Sequence, residues 1–330
     1  MYVFLDNTLL QALIFGYLAL SVYISLRVLD FPDLTIEGSF PLGAAIAATV
    51  TVHFDQPAIG IVLGIFAGYL AGMLTGYLHE YLGIGKLLSG IVVATGLYSI
   101  SFRIMGANAN LYLERASNPF TALDELNRNI AQIMPAGMET ASIYPVTNII
   151  LLLLAVAVIA ILVRFFATIP GTLLKFSRTD SRTVIGAVGF NGKFLMLHGM
   201  GLANALAAGA GVLSLYNDGT ASISMGFGII LTALAALVLG ERIIALFHRD
   251  ISDIWPMLLA PFIGMFCYYV IIKAVRSVNV YIQTTYGIME PHDQLQFFNT
   301  DIRILSALII VLLYMRQKGI VEESSGFNRL

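Results

Sequence analysis

Residues Thr168–Lys193 read TIPGTLLKFSRTDSRTVIGAVGFNGK, a polar, glycine-punctuated island between two long apolar runs. Lys175, Arg178, Arg182 and Lys193 stand there against a single acid, Asp180. Thr179 or Asp180 can cap a short helix over Ser181–Val188, with Gly189 as its stop signal. A capped helix in a basic loop offers a docking surface to a cytoplasmic partner. A connector made basic only by membrane topology is the alternative, and loop statistics alone favour it.

Outward from the island the chain is apolar. Hydrophobic residues make up 58% of the 330 and charged residues 12%, whereas soluble domains run near half apolar and a quarter charged. An all-α polytopic membrane protein is expected, with one transmembrane domain over 1–330 and the lipid bilayer as its medium. The formal net charge of −2, with no basic stripe outside the membrane loops, excludes nucleic acid as a partner. The single cysteine, Cys267, lies in an apolar run, so no intramolecular disulfide can form. The N-terminal MYVFLDNTLL has neither a basic region nor a small-residue cleavage site, so the first span is expected to remain as an anchor.

At about 20 apolar residues per crossing, nine spans are expected. They lie near Thr8–Val28, Pro41–His53, Pro57–Leu78, Lys86–Met105, Pro145–Ala167, Phe194–Leu215, Gly226–Leu246, Ile254–Lys273 and Asp301–Met315. Basic loop residues mark the cytoplasmic side. The island is basic, as is the tail through Arg316, Lys318 and Arg329, and four spans separate them. The interval Gly106–Tyr144 sets Arg115 and Arg128 against Glu114, Asp124, Glu125 and Glu139. This places 106–144 and the N-terminus outside, and the loop 168–193 and the C-terminus in the cytoplasm. Arg27 then falls at the cytoplasmic end of the first span.

Two spans read as broken. Pro41–His53 is too short to cross at about 1.5 Å per residue, and a Pro/Gly-interrupted run from Phe31 precedes it. Gly226–Leu246 follows the polar stretch Asn217–Met225. The two segments are loosely alike and run in opposite directions, which suggests an inverted repeat with a solute path at its interface. The candidate path residues are Thr35, Glu37, Gly38, Ser39, Ser222 and Ser224, with Glu37 the costliest to place in a membrane. Gly60, Gly64, Gly68, Gly72 and Gly76 form a small-xxx-small stripe, read as close helix packing.

Catalytic chemistry is absent from the motifs. Gly83-Ile84-Gly85-Lys86-Leu87 lacks the spacing and hydroxyl of a phosphate loop, and His79-Glu80 has no second histidine at position 83. No cofactor or metal is expected on this chain. If ATP drives it, ATP and Mg are bound by another polypeptide.

Three collinear stretches carry a family resemblance: Tyr23–Ala45, containing Asp30-Phe31-Pro32-Asp33-Leu34-Thr35-Ile36-Glu37-Gly38; Leu97–Gly106; and Leu231–Glu241. The chain resembles permeases of ABC importers in the branched-chain amino acid and ribose permease superfamily, closest to tryptophan/tyrosine-type transport permeases. The resemblance implies a homodimeric permease in a bacterial inner membrane, served by two cytoplasmic ATPase subunits and an extracytoplasmic solute-binding protein. It also implies that the island is the coupling element, through Arg178, Thr179, Asp180, Arg182, Gly189, Phe190 and Asn191. The family pattern there is Arg-x-x-Gly-Asp-Asn followed by Gly-x-Asn. Asp180 and Gly189-Phe190-Asn191 match it, while Phe176, Thr179 and Ser181 depart from it. An ATP-driven importer of a small, amino-acid-like solute is therefore expected, with a stand-alone secondary transporter or channel driven by an ion gradient as the alternative.

Overall fold

The computed structural model describes residues 2–114, 117–133, 144–176, 189–247 and 254–286. Among them eight helices are long and apolar enough to cross a membrane. The segment read as the ninth span, Asp301–Met315, lies outside the described residues, as do Arg178, Thr179, Asp180, Arg182 and the expected helix Ser181–Val188.

Helix α1 (Tyr2–Val22) runs on through a π-helical turn, Tyr23–Val28, and Asp30 just beyond it takes φ 52°. Helix α2 spans Thr35–Phe54. Asp55 in the left-handed region (φ 52°) and Pro57 at the first position of α3 (Pro57–Glu80) turn the chain back within a few residues. Helix α4 (Lys86–Ile104) leads to strand β1 (Asn110–Tyr112) and the amphipathic α5 (Pro119–Ile133). Helix α6 (Pro145–Ala167) is followed by a short α7 (Ile169–Phe176), and α8 covers Gly192–Asp218. Strand β2 (Thr220–Ser222) and a 3-10 turn (Ile223–Gly226) precede α9 (Ile229–Phe247), and α10 covers Ile254–Tyr286. β1 and β2 pair antiparallel, with Leu111 opposite Ala221, and form a small ladder at one end of the bundle.

Of the two segments read as broken, only the second is. Pro41 sits inside α2, six residues past its start, and the 20-residue helix is long enough to cross. The polar residues before Pro41 make helix rather than loop because the bundle satisfies them: Thr35 and Ser39 are both fully buried. The second segment is interrupted at Phe227–Gly228, where Gly228 takes φ 71°, a conformation glycine adopts without steric cost.

Glycine sets the packing. All five stripe glycines of α3 are buried, and the stripe lies against α2 and α8 within the one chain. A Cβ on Gly72 would come 2.2 Å from the Met200 carbonyl, and one on Gly68 2.3 Å from Ala208 Cβ. Gly240 and Gly264 bring α9 and α10 together in the same way, with an added Cβ 1.9 Å from the Ala260 carbonyl and 1.8 Å from that of Ala236. The opposite face of α3 exposes Val62, Phe66, Leu70 and Leu74, as a surface facing lipid does.

Candidate functional site

The bundle has two polar ends. At one, Arg27 forks onto Glu241, with Nε and Nη2 each 2.7 Å from a carboxylate oxygen. Lys86 Nζ donates to the Asp30 carbonyl at 2.8 Å, and Lys193 Nζ lies 5.1 Å from the centre of the Tyr81 ring. At the other end stands the β1–β2 ladder. There Asn118 Nδ2 donates to the Tyr216 carbonyl at 2.9 Å, and the Tyr144 N–H donates to Asp6.

A cavity of about 810 Å³ enters from the ladder end. Its walls come from α1, α8, α10 and the stretch running from β2 into α9, and it carries Asp218, Lys273, Ser222, Ser224, Phe15 and Tyr269 among its lining. Phe40 of α2 and Thr232 of α9 reach it from deeper in the bundle. Beyond Thr232, Ala233, Ala236 and Leu237 of α9 have no exposed surface, nor do Ala207 and Met200 of α8.

Position along α4 gives the level of Glu37 and Gly38. Gly38 rests on Ala94 and Leu97, with an added Cβ 3.0 Å from both. Leu34, just before α2, meets Gly90, about 6 Å along α4 from Lys86, and Leu97 lies about 16 Å along it, so Glu37 and Gly38 stand inside the bundle rather than at its surface. At that level Glu37 Oε1 accepts the backbone N–H of Gly228 at 3.1 Å. Gly226 meets the Glu37 carbonyl so closely that a Cβ there would lie 2.0 Å away. The Tyr98 hydroxyl donates to the Glu37 carbonyl at 3.4 Å, and its ring faces Phe227 at 4.7 Å. A half-buried carboxylate thus ties α2 to the broken segment beside the cavity. Irregular backbone inside a membrane bundle persists only where protein or a wet cavity satisfies it; here the Glu37 carboxylate takes the Gly228 N–H.

The candidate path residues divide. Ser222 and Ser224 line the cavity, their hydroxyls 3.0 Å apart. Glu37 is not in the lining but accepts the N–H of Gly228, which is. Thr35, Gly38 and Ser39 are in helix seams instead. Thr35 Oγ1 bonds Thr75 Oγ1 at 2.6 Å, and Ser39 Oγ donates to Asn204 Oδ1 at 2.7 Å. The reason is the helical start at Thr35: positions 35 and 39 then share a face, and that face meets α3 and α8. Asn204 Nδ2 also donates to Asp33 Oδ2 at 2.6 Å, and Asp33 Oδ1 accepts the Thr35 N–H at 2.9 Å. Burial pushes the Asp33 carboxyl up, against these hydrogen bonds, which draw it down.

Of the island, Gly189, Phe190 and Asn191 are described. Gly189 takes φ 81°, and the Asn191 side chain caps α8 by accepting the N–H groups of Lys193 (3.0 Å) and Phe194 (3.4 Å). These residues thus have a local task in starting a helix. The island's first third, read as loop, is α7. Its Leu173 and Leu174 are buried against the bundle, and Lys175 Nζ stands 5.7 Å from the Phe166 ring centre. Sequence reasoning also missed Tyr98 as a partner of Glu37 and missed the Arg27–Glu241 pair. The first had no local signal, and the second joins residues 214 positions apart.

Eight described helices long and apolar enough to cross a membrane, with a cavity open at one end, fit a transport permease. The chain belongs to the family described as branched-chain amino acid transport system / permease component, whose model matches residues 4–313. It is 29% identical over 307 residues to a tyrosine transport system permease protein of Clostridioides difficile (strain R20291), covering 92% of this chain and 88% of that one. It is also 27% identical over 279 residues to an uncharacterised protein of Rickettsia prowazekii (strain Madrid E), covering 84% and 90%. No solved structure matches the chain.

Proposed function

We propose that this chain is the membrane subunit of an ATP-driven importer for a small amino-acid-like solute. In this reading it works as a homodimer in a bacterial inner membrane, with a cytoplasmic ATPase pair and an extracytoplasmic binding protein. The observation that carries the proposal is a cavity open at the ladder end among helices long enough to cross a membrane, with Gly228 of its lining held by Glu37. Solute enters from one face and passes only when α2 and the segment before α9 part. Family membership and the tyrosine permease relative support the amino-acid class.

The ladder end is then extracytoplasmic, with the N-terminus. The end carrying Arg27 and Lys193, and the C-terminus, are cytoplasmic. No phosphate-binding motif stands in the sequence, so ATP and Mg belong to the partner subunits. Arg178, Thr179, Asp180 and Arg182 receive the docking role, and Gly189 to Asn191 join the docking loop rigidly to α8. Closure of the ATPase dimer on ATP would move the loop, and α8 would carry that motion to the cavity.

The test is co-purification with the ATPase encoded beside this chain. Charge reversal at Arg178 and Arg182, and deletion of Ser181–Val188, are expected to abolish both the complex and its stimulated ATPase activity. Retention of both in all variants refutes the docking role. Uptake by this chain alone in proteoliposomes, collapsed by an ionophore, would establish an ion-driven transporter instead.

A further inference from the structure

We propose that Phe15, Phe40 and Tyr269 form an aromatic gate across the inner side of the cavity, and that it opens when two glycine-packed groups of helices move apart. The proposal rests on the transport reading and adds the side chains that close the path.

The lining changes character at these three rings. Along α1 it runs inward through Asn7, Gln11 and Phe15, one turn apart on one face. Leu18 and Val22 continue that face, and both are buried. Along α8 it runs inward from Asp218 to Ser214, and Ala210 and Ala207 beyond have no exposed surface. On α10 it reaches inward to Tyr269, and Met265, one turn further, is fully buried. Phe40 is the contribution of α2. Polar walls thus give way to buried apolar side chains at one layer, and that layer is aromatic. Phe15 joins it together, 5.9 Å from the Phe40 ring with planes at 20° and 5.8 Å from the Tyr269 ring at 47°. An apolar constriction of this kind excludes water and polar solutes until its side chains part.

The packing shows which parts can separate. Glycines bring α2, α3 and α8 together on backbone, Gly43 against the Ala208 carbonyl and Gly72 against that of Met200. Gly240 and Gly264 do the same for α9 and α10, and Gly16 of α1 receives the Phe262 ring of α10. Close seams of small residues hold each trio together. The gate lies across the boundary between the trios, with Phe40 from the first and Phe15 and Tyr269 from the second. Rigid movement of one trio against the other separates the rings and leaves these glycine seams intact. The Glu37–Gly228 bond crosses the same boundary.

The experiment measures thiol labelling of the full chain in lipid nanodiscs by a cationic methanethiosulfonate. C267A removes the chain's single cysteine, and Q11C or L18C then places a thiol on either side of the gate. Q11C is expected to react readily and L18C to be protected. F40A, and separately F15A, should raise the L18C rate by about tenfold or more, the scale set by losing one stacked aromatic pair and its burial, with Q11C unchanged. L20A, which truncates a buried side chain on the opposite face of α1, should leave L18C protected. L18C still protected in both F40A and F15A overturns the gate. So does L18C reacting as fast as Q11C with all three rings present, or a rise in L20A equal to that in F40A. The labelling needs no ATPase, so its failure defeats the gate alone, whereas failure of the wild-type chain to assemble with its ATPase defeats the importer reading.

Discussion

Glu37 accepts the backbone N–H of Gly228 at 3.1 Å across 191 positions of sequence, and this one contact joins the first turn of α2 to the break before α9. It joins a half-buried carboxylate to a glycine in the left-handed region that lines the cavity. E37A should strand the Gly228 N–H and lower stability by about 1–3 kcal/mol. E37Q keeps an acceptor oxygen and should lose much less. Thermal unfolding of the two variants in detergent measures the difference.

The Asp33 carboxyl gives a pH dependence. Its buried position raises it above the ordinary carboxylate range, so between the unfolded and folded values the folded chain holds the extra proton. The stability linked to this group is full below the unfolded value and is lost as pH rises through the folded one. Wild-type protein should therefore gain stability from this site as pH falls from neutral toward the acid range. D33N should flatten that part of the slope. Its absolute stability should also drop, because an amide would face the Asn204 Nδ2 that now donates to Oδ2. Melting temperatures of both proteins across pH give the slopes.

Packing at the α3–α8 seam predicts a sharp contrast between two glycines. G72A drives a methyl to within 2.2 Å of the Met200 carbonyl and should cost about 1–3 kcal/mol through overpacking. Gly96, inside α4, has open space around it, so G96A should be neutral or stabilise by up to about 1 kcal/mol through helix propensity. The unfolding midpoints of the two variants should move in opposite directions or differ by several degrees.

Arg27 and Glu241 form a two-point ion pair with side chains 43% and 22% exposed. Solvent screening limits its worth, so E241A should destabilise by roughly 0.2–1 kcal/mol. A double-mutant cycle with R27A should show coupling of that size, shrinking as salt is added.

By itself the sequence determined the membrane class and most spans, because apolar run length is a local property that hydropathy reads directly. It also determined the role of the Gly60–Gly76 stripe and the break before α9, since glycine spacing and polar interruption are local too. The start of α2 was not legible. Thr35 and Ser39 look like loop residues until Thr75 and Asn204, distant in sequence, satisfy them. Nor could the chain order show that Asp218, Lys273, Phe15 and Tyr269 share one cavity, or that Glu37 reaches Gly228. Such meetings depend on how glycine-lined helices approach, and close approach is a property of pairs of surfaces. Tertiary structure alone decided which polar residues are buried structural partners and which line the cavity.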